Sequence, residues 1–203
     1  VDITPDGLNK VFFSDSGSVA IEIALKMALQ YWHNVGLTKR KVIALQGAYH
    51  GDTFGSMSVA ERGMFTEPFN RFLFDTTFIE FPTAGNENEV IKQFKSQVAQ
   101  QDVAAFIFEP LVQGAAGMRM YSPAVLDTLI GYAQHHGVLC IGDRDQMASY
   151  HRSTAVVCPN KIAFLKILKE GPAIGVTFAR RACRAKYAAV IVDLVHLGDM
   201  TFR

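Results

Sequence analysis

With 203 residues, 20 basic and 19 acidic, the chain has a formal net charge of +1, which argues against a nucleic-acid binder or a membrane-surface protein. Apolar residues make up 49% of it, 15 of them phenylalanine, enough for one large core or two small ones. The three cysteines, Cys140, Cys158 and Cys183, form no CxxC or His/Cys cluster, so buried thiols in a reducing compartment are expected, not disulfides or a metal site. No signal peptide and no uninterrupted apolar stretch of bilayer length appear, and a soluble, cytoplasmic protein is expected. The chain opens on Val1-Asp2-Ile3 and stops at Arg203 with no closing element, and it reads as an excerpt of something longer.

Val11-Phe12-Phe13 is a short apolar piece that breaks into Ser14-Asp15-Ser16-Gly17-Ser18, and a long helix follows over Val19 to Trp32. Ala20, Ile23, Ala24, Met27, Ala28 and Tyr31 repeat there at helical spacing. Ser16 or Ser18 can cap it, and Gly17 lets the backbone approach a ligand closely. The first-turn N–H groups lack intrahelical acceptors and carry the positive end of the helix dipole, so the pattern offers an anion site. Val42 to Leu45 reads as a buried parallel strand, followed by the polar turn Ala48-Tyr49-His50-Gly51-Asp52-Thr53 and a short helix over Thr53 to Val59. The span from Arg62 to Gly85 reads as mostly irregular, and Asn86 to Gln100 as a surface helix.

Val103 to Phe108 is a second buried strand, ending in Glu109-Pro110 and the loop Val112 to Met118. Pro123 to His136 is an amphipathic helix with Pro at its start and Gly137 after its end. Val138 to Ile141 is a third buried strand, ending at Gly142-Asp143. Alternating apolar strands and helices predict an α/β domain with a mostly parallel sheet, whose ligands sit beyond the carboxyl ends of the strands. Tyr49, Glu109, Gln113 and Asp143 all fall at such ends. His50, His135 and His136 read as structural.

After Asp143 the composition changes. Residues 1–143 hold 10 basic and 15 acidic side chains, a net of −5, whereas residues 144–203 hold 10 and 4, a net of +6. Two segments are expected, 1–143 and 144–203, the second with strands at Ile162 to Leu165 and Ala173 to Phe178.

Taken together, Phe13-Ser14-Asp15-Ser16-Gly17-Ser18, Tyr49-His50-Gly51-Asp52-Thr53-Phe54-Gly55 and Glu109-Pro110-Leu111-Val112-Gln113-Gly114 resemble the class III pyridoxal-phosphate aminotransferases. Met118-Arg119-Met120-Tyr121 narrows the resemblance to members of the biotin pathway. It is close from Val11 to Asp143, patchy from Pro159 to Thr177 and absent elsewhere. It implies a fold-type-I large domain, with 1–143 its cofactor-binding part and 144–203 a degraded or partly frame-slipped continuation, pyridoxal 5'-phosphate as cofactor, a homodimer, and amino transfer from S-adenosylmethionine to 8-amino-7-oxononanoate. In that family the N–H groups matching Gly17 and Ser18 hold the cofactor phosphate. Tyr49 matches the aromatic that packs on the pyridine ring and faces the substrate. Asp143 matches the carboxylate that bonds the ring nitrogen, and Lys166 the lysine that attaches the cofactor and meets the substrate. No metal is implied.

The sequence departs from the family pattern in the tail. Arg144 stands where the family has Glu, and Met147 to Ser153 replace a glycine-rich segment. Leu165 replaces a small residue, and Lys169-Glu170 replace Thr-Gly. A local reading-frame slip or a decayed gene copy would give this pattern, and the chain as written is expected not to turn over. The alternatives are a class III aminotransferase with another amino acceptor and a non-catalytic chain that keeps part of the fold. A Rossmann-type nucleotide binder is disfavoured because no Gly-x-Gly-x-x-Gly opens a strand–helix turn.

Overall fold

The computed structural model describes residues 10–143, 154–158 and 188–192. Four strands run parallel in one sheet: β2 (Lys41–Leu45), β3 (Thr77–Ile79), β4 (Val103–Phe108) and β7 (Leu139–Asp143). Three further strands extend it past β7: β8 (Thr154–Cys158), β9 (Ala188–Val192) and β1 (Lys10–Ser14). The order across the sheet is β1-β9-β8-β7-β4-β2-β3. β8 runs antiparallel to β7, β9 parallel to β8, and β1 antiparallel to β9. Two reversals cancel, so β1 points the same way as β7. The carboxyl ends of β1, β2, β4 and β7 therefore share one edge. A separate two-stranded ribbon pairs β5 (Val112–Gln113) with β6 (Arg119–Met120).

Helix α1 (Gly17–Asn34) starts where Ser16, in extended conformation, accepts the Val19 N–H on its Oγ at 3.3 Å. Ser16 is thus the cap, and the helix begins two residues earlier than the periodicity alone indicates. Its far end is pinned by the Trp32 indole N–H, which donates to the Ala104 carbonyl at 2.8 Å. The buried stripe is Ala20, Ile21, Ala24, Leu25, Met27, Ala28 and Trp32, while Ile23 and Tyr31 are only partly covered. The stripe is rotated from the expected one because α1 packs against the sheet and also against α2 (Phe54–Ser58). Helix α4 (Pro123–His135) is capped by Ser122 and followed by Gly137 at φ +67°.

Alternation along the parallel strands splits the core in two. Val42, Ala44, Ala105, Ile107, Leu139 and Ile141 meet α1 on one face. Ile43, Leu45, Phe106, Phe108 and Cys140 meet α3 (Glu87–Val98) and α4 on the other. Both faces of the sheet are covered, which is why its strands are apolar throughout.

Three expectations need correction. Thr77–Ile79, read as irregular, is the edge strand β3, too short for its alternation to show. A 3₁₀ helix at Glu67–Phe72 occupies more of the same span. The sheet also contains antiparallel pairings beyond β7, where the sequence pattern gives no strand at Thr154–Cys158 or Ala188–Val192. The strands expected at Ile162 to Leu165 and Ala173 to Phe178 lie outside the described residues. No helix among the described residues is long and apolar enough to cross a membrane.

Phe94 is fully buried, its ring 4.8 Å from that of Phe106, at the seam between α3 and the sheet. Phe94→Ala should destabilise the fold by about 3–5 kcal/mol, since the rigid strand and helix around it can only partly close the cavity. Urea unfolding measures this as a lower midpoint with little change of slope.

Candidate active site

The shared carboxyl edge gathers four chain segments: the start of α1 after β1, the turn after β2, the loop after β4, and Asp143 at the end of β7. The β2 turn is fixed first. Gly51 has φ +114°, and a Cβ there would sit 2.4 Å from Ser18 Oγ and 2.8 Å from Ser18 Cα, so only glycine lets this turn lie against the first turn of α1. The Ser18 hydroxyl oxygen accepts the Thr53 N–H at 2.9 Å, tying the two segments together.

His50 and Asp143 then meet. Nδ1 of His50 lies 2.7 Å from Oδ2 of Asp143, and each residue is 3% exposed. The other ring nitrogen, Nε2, is buried and has no hydrogen-bond partner among the described residues. Glu109, 2% exposed, braces the turn from β4. Its Oε1 accepts the Tyr49 N–H at 3.1 Å and its Oε2 the Gly114 N–H at 2.9 Å. Burial pushes the Glu109 carboxyl above its ordinary value, and the Gly114 N–H, His50 and the Tyr49 N–H pull it partly back. The Tyr121 hydroxyl donates to the Glu109 carbonyl at 2.7 Å, and burial pushes that phenol up.

A cleft of about 800 Å³ opens beside the turn, with Tyr49, Gly51, Asp52, Glu61, Phe65 and Arg119 among its walls. Tyr49 is 37% exposed there, and its hydroxyl donates to Asp52 Oδ2 at 2.9 Å. Arg119 donates to Gln113 Oε1 at 2.6 Å and to the Gln46 carbonyl at 3.0 Å, with its guanidinium 4.4 Å from the centre of the Phe81 ring.

Of the residues expected at the site, Gly17, Ser18, Tyr49 and Asp143 stand at the same sheet edge. Tyr49 lines the cleft, but Gly17, Ser18 and Asp143 do not. Lys166 lies outside the described residues. In the sequence His50 reads as a structural histidine, Asp52 as one member of a polar turn, and Glu22 only as a polar residue of α1. The adjacency of His50 to Tyr49 was the only available signal, because the pairing with Asp143 spans 93 residues. Among the described residues, no group of three or more His, Cys, Asp or Glu side chains could hold a metal ion.

The class-III aminotransferase family model matches residues 1–146, which include all of these strand-end groups, and the chain belongs to that family. The match stops three residues past Asp143, where the charge balance also turns. Among its relatives, the adenosylmethionine-8-amino-7-oxononanoate aminotransferase of Synechococcus elongatus is 47% identical over 161 residues, covering 75% of this chain and 38% of that protein. The crystal structure of the enzyme of the same name from Methanocaldococcus jannaschii matches with a TM-score of 0.67 at 34% identity, over 72% of this chain and 34% of that one. An amine transaminase from an uncultivated Pseudomonas species, solved in a PLP-bound form, matches with a TM-score of 0.61 at 30% identity, over 66% and 33%. The chain thus spans little more than a third of the relatives it matches.

The raised Glu109 sets a pH dependence. The native state holds this proton more tightly than the unfolded chain, so ionising the group costs stability as pH rises from 4.5 through the raised value. Glu109→Gln has no such proton. Measured by urea unfolding at a series of pH values, wild type should lose stability relative to the variant across that window and then level off. A gap that stays constant with pH would contradict the assignment.

Proposed function

We propose that the chain is the cofactor-binding part of a pyridoxal-phosphate aminotransferase that moves the amino group of S-adenosylmethionine to 8-amino-7-oxononanoate. The observation that carries this reading is the convergence of the α1 start, Tyr49 and the buried His50–Asp143 pair at one sheet edge. That donor set fits pyridoxal 5'-phosphate: N–H groups for a phosphate, an aromatic face for a ring, and a carboxylate for a ring nitrogen. Nε2 of His50, buried and without a partner among the described residues, also fits a site shaped for something besides stability, since an orphan of this kind costs about 1–3 kcal/mol.

In this reading the phosphate takes the backbone N–H groups of Gly17 and Ser18, because the Ser18 hydroxyl is already engaged by Thr53. Tyr49 presents its half-open ring, held in orientation by Asp52, to the cofactor and to the substrate. Asp143, steadied by His50, keeps a proton on the pyridine nitrogen. When bound, the cofactor supplies an electron sink for loss of the substrate Cα proton. Lys166 is assigned the covalent attachment, and its Nζ the carriage of that proton. The preserved spacing from Pro159 supports this assignment. The partner in this reading is a second copy of the chain. Exposed Phe65, which lines the cleft, and exposed Met64, Phe69 and Phe72 are apolar surface of the kind an interface covers.

Four measurements test the reading. Added pyridoxal phosphate should give a new absorbance band near the visible edge, and borohydride reduction with peptide mapping should place the pyridoxyl group on Lys166. Label on Lys161 or Lys169 would remove that assignment, and no band at all would remove the function. Asp143→Asn should keep cofactor binding but slow half-transamination by orders of magnitude, because a neutral amide cannot hold the ring nitrogen protonated. The 203-residue chain alone should form no diaminononanoate in a steady-state assay, as Arg144 adds a competing cation beside Asp143 in sequence. Measurable product would overturn that expectation.

A further inference from the structure

Glu22 sits one turn into α1, outside every role assigned above, yet its carboxylate reaches across to the segment after β2. Its Oε2 accepts the Thr53 hydroxyl at 2.7 Å and the Gly55 N–H at 2.9 Å. A Cβ at Gly55 would lie 2.5 Å from Glu22 Oε2, so a side chain there would push the carboxylate out of this position. Around it, the Thr53 N–H donates to Ser18 Oγ at 2.9 Å and the Ser56 hydroxyl to the Ser18 carbonyl at 2.9 Å. These four bonds all join the first two turns of α1 to residues 53–56. The turn that carries Tyr49 and His50 runs directly into those residues.

We propose that Glu22 and Thr53 are positioning residues: they latch the Tyr49–Thr53 turn onto the start of α1, so that the anion-binding and ring-binding ends of the cofactor cradle move as one body. The inference rests on the cofactor reading above. A hydrogen bond to a charged acceptor is roughly twice as strong as a neutral one, and Glu22 makes two. Ser18 is the shared hinge point. Its hydroxyl faces the latch, and its backbone N–H belongs to the helix start. A ligand holding the first turn of α1 therefore also restrains Tyr49 and His50, and the converse holds.

Glu22→Ala breaks the latch at both bonds, Thr53→Val removes the hydroxyl while keeping its N–H and shape, and Glu22→Gln keeps an acceptor oxygen and serves as the conservative rescue. Backbone hydrogen exchange on the 203-residue chain without cofactor reads the latch directly. In Glu22→Ala, exchange should accelerate about tenfold to a hundredfold at Gly55 and Thr53 and also at Tyr49 and His50, with Glu22→Gln recovering much of the protection. Acceleration confined to Gly55 would overturn the proposal. If Glu22→Ala does not fold, Thr53→Val gives the same readout.

A second arm measures coupling between the two ends. Pyridoxal phosphate and phosphate-free pyridoxal are titrated against each variant by absorbance. Wild type should prefer the phosphorylated form strongly, and breaking the latch should shrink that preference. Equal weakening of both ligands would mean loss of structure alone and would sink the latch. If wild type binds neither compound, the cofactor reading falls, while the exchange arm still decides the latch.

Discussion

His50 and Asp143 lie 2.7 Å apart in almost complete burial, and the carboxyl edge of the sheet is arranged so that this contact can exist. His50 can reach Asp143 only if the turn after β2 crosses the end of β4, and Glu109 is the brace that holds it there. The carboxylate takes the Tyr49 N–H from one loop and the Gly114 N–H from another. Its charge is expensive in that position. Its two N–H donors are what reduce the cost, which is why burial raises its proton affinity while the hydrogen bonds oppose the rise.

The same edge explains where glycine is needed. Gly51 sits where a methyl group would collide with the Ser18 backbone of α1, and Gly55 where one would displace the Glu22 carboxylate. Gly47 similarly leaves room for the Arg119 guanidinium as it turns toward Gln113 and Gln46. The polar turn is thus pressed against a helix on one side and an arginine on the other. That confinement orients Tyr49 at the mouth of the cleft.

Much of the frame was legible from residues alone. The apolar runs at Val42–Leu45, Val103–Phe108 and Val138–Ile141 became β2, β4 and β7 because strands covered on both faces need no polar alternation. The edge strand β3 was not legible, since three residues are too few for a period to declare itself. The strands β8 and β9 were missed because the tail in which they lie follows no helix–strand rhythm. The partner of His50 was not legible for a different reason: it stands 93 residues away in the chain.

By itself, then, the sequence determined the alternation of strand and helix, the family, and which loops lie at strand ends, because each rests on residues close together in the chain. Only the tertiary structure decided that β1 runs parallel to β7, which follows from two antiparallel pairings far apart in sequence. It alone decided that Asp143 is met by His50 across 93 residues and Thr53 by Glu22 across 31. Buried polar groups must find partners wherever the packing brings them, and that choice is made in space, after the local pattern is already fixed.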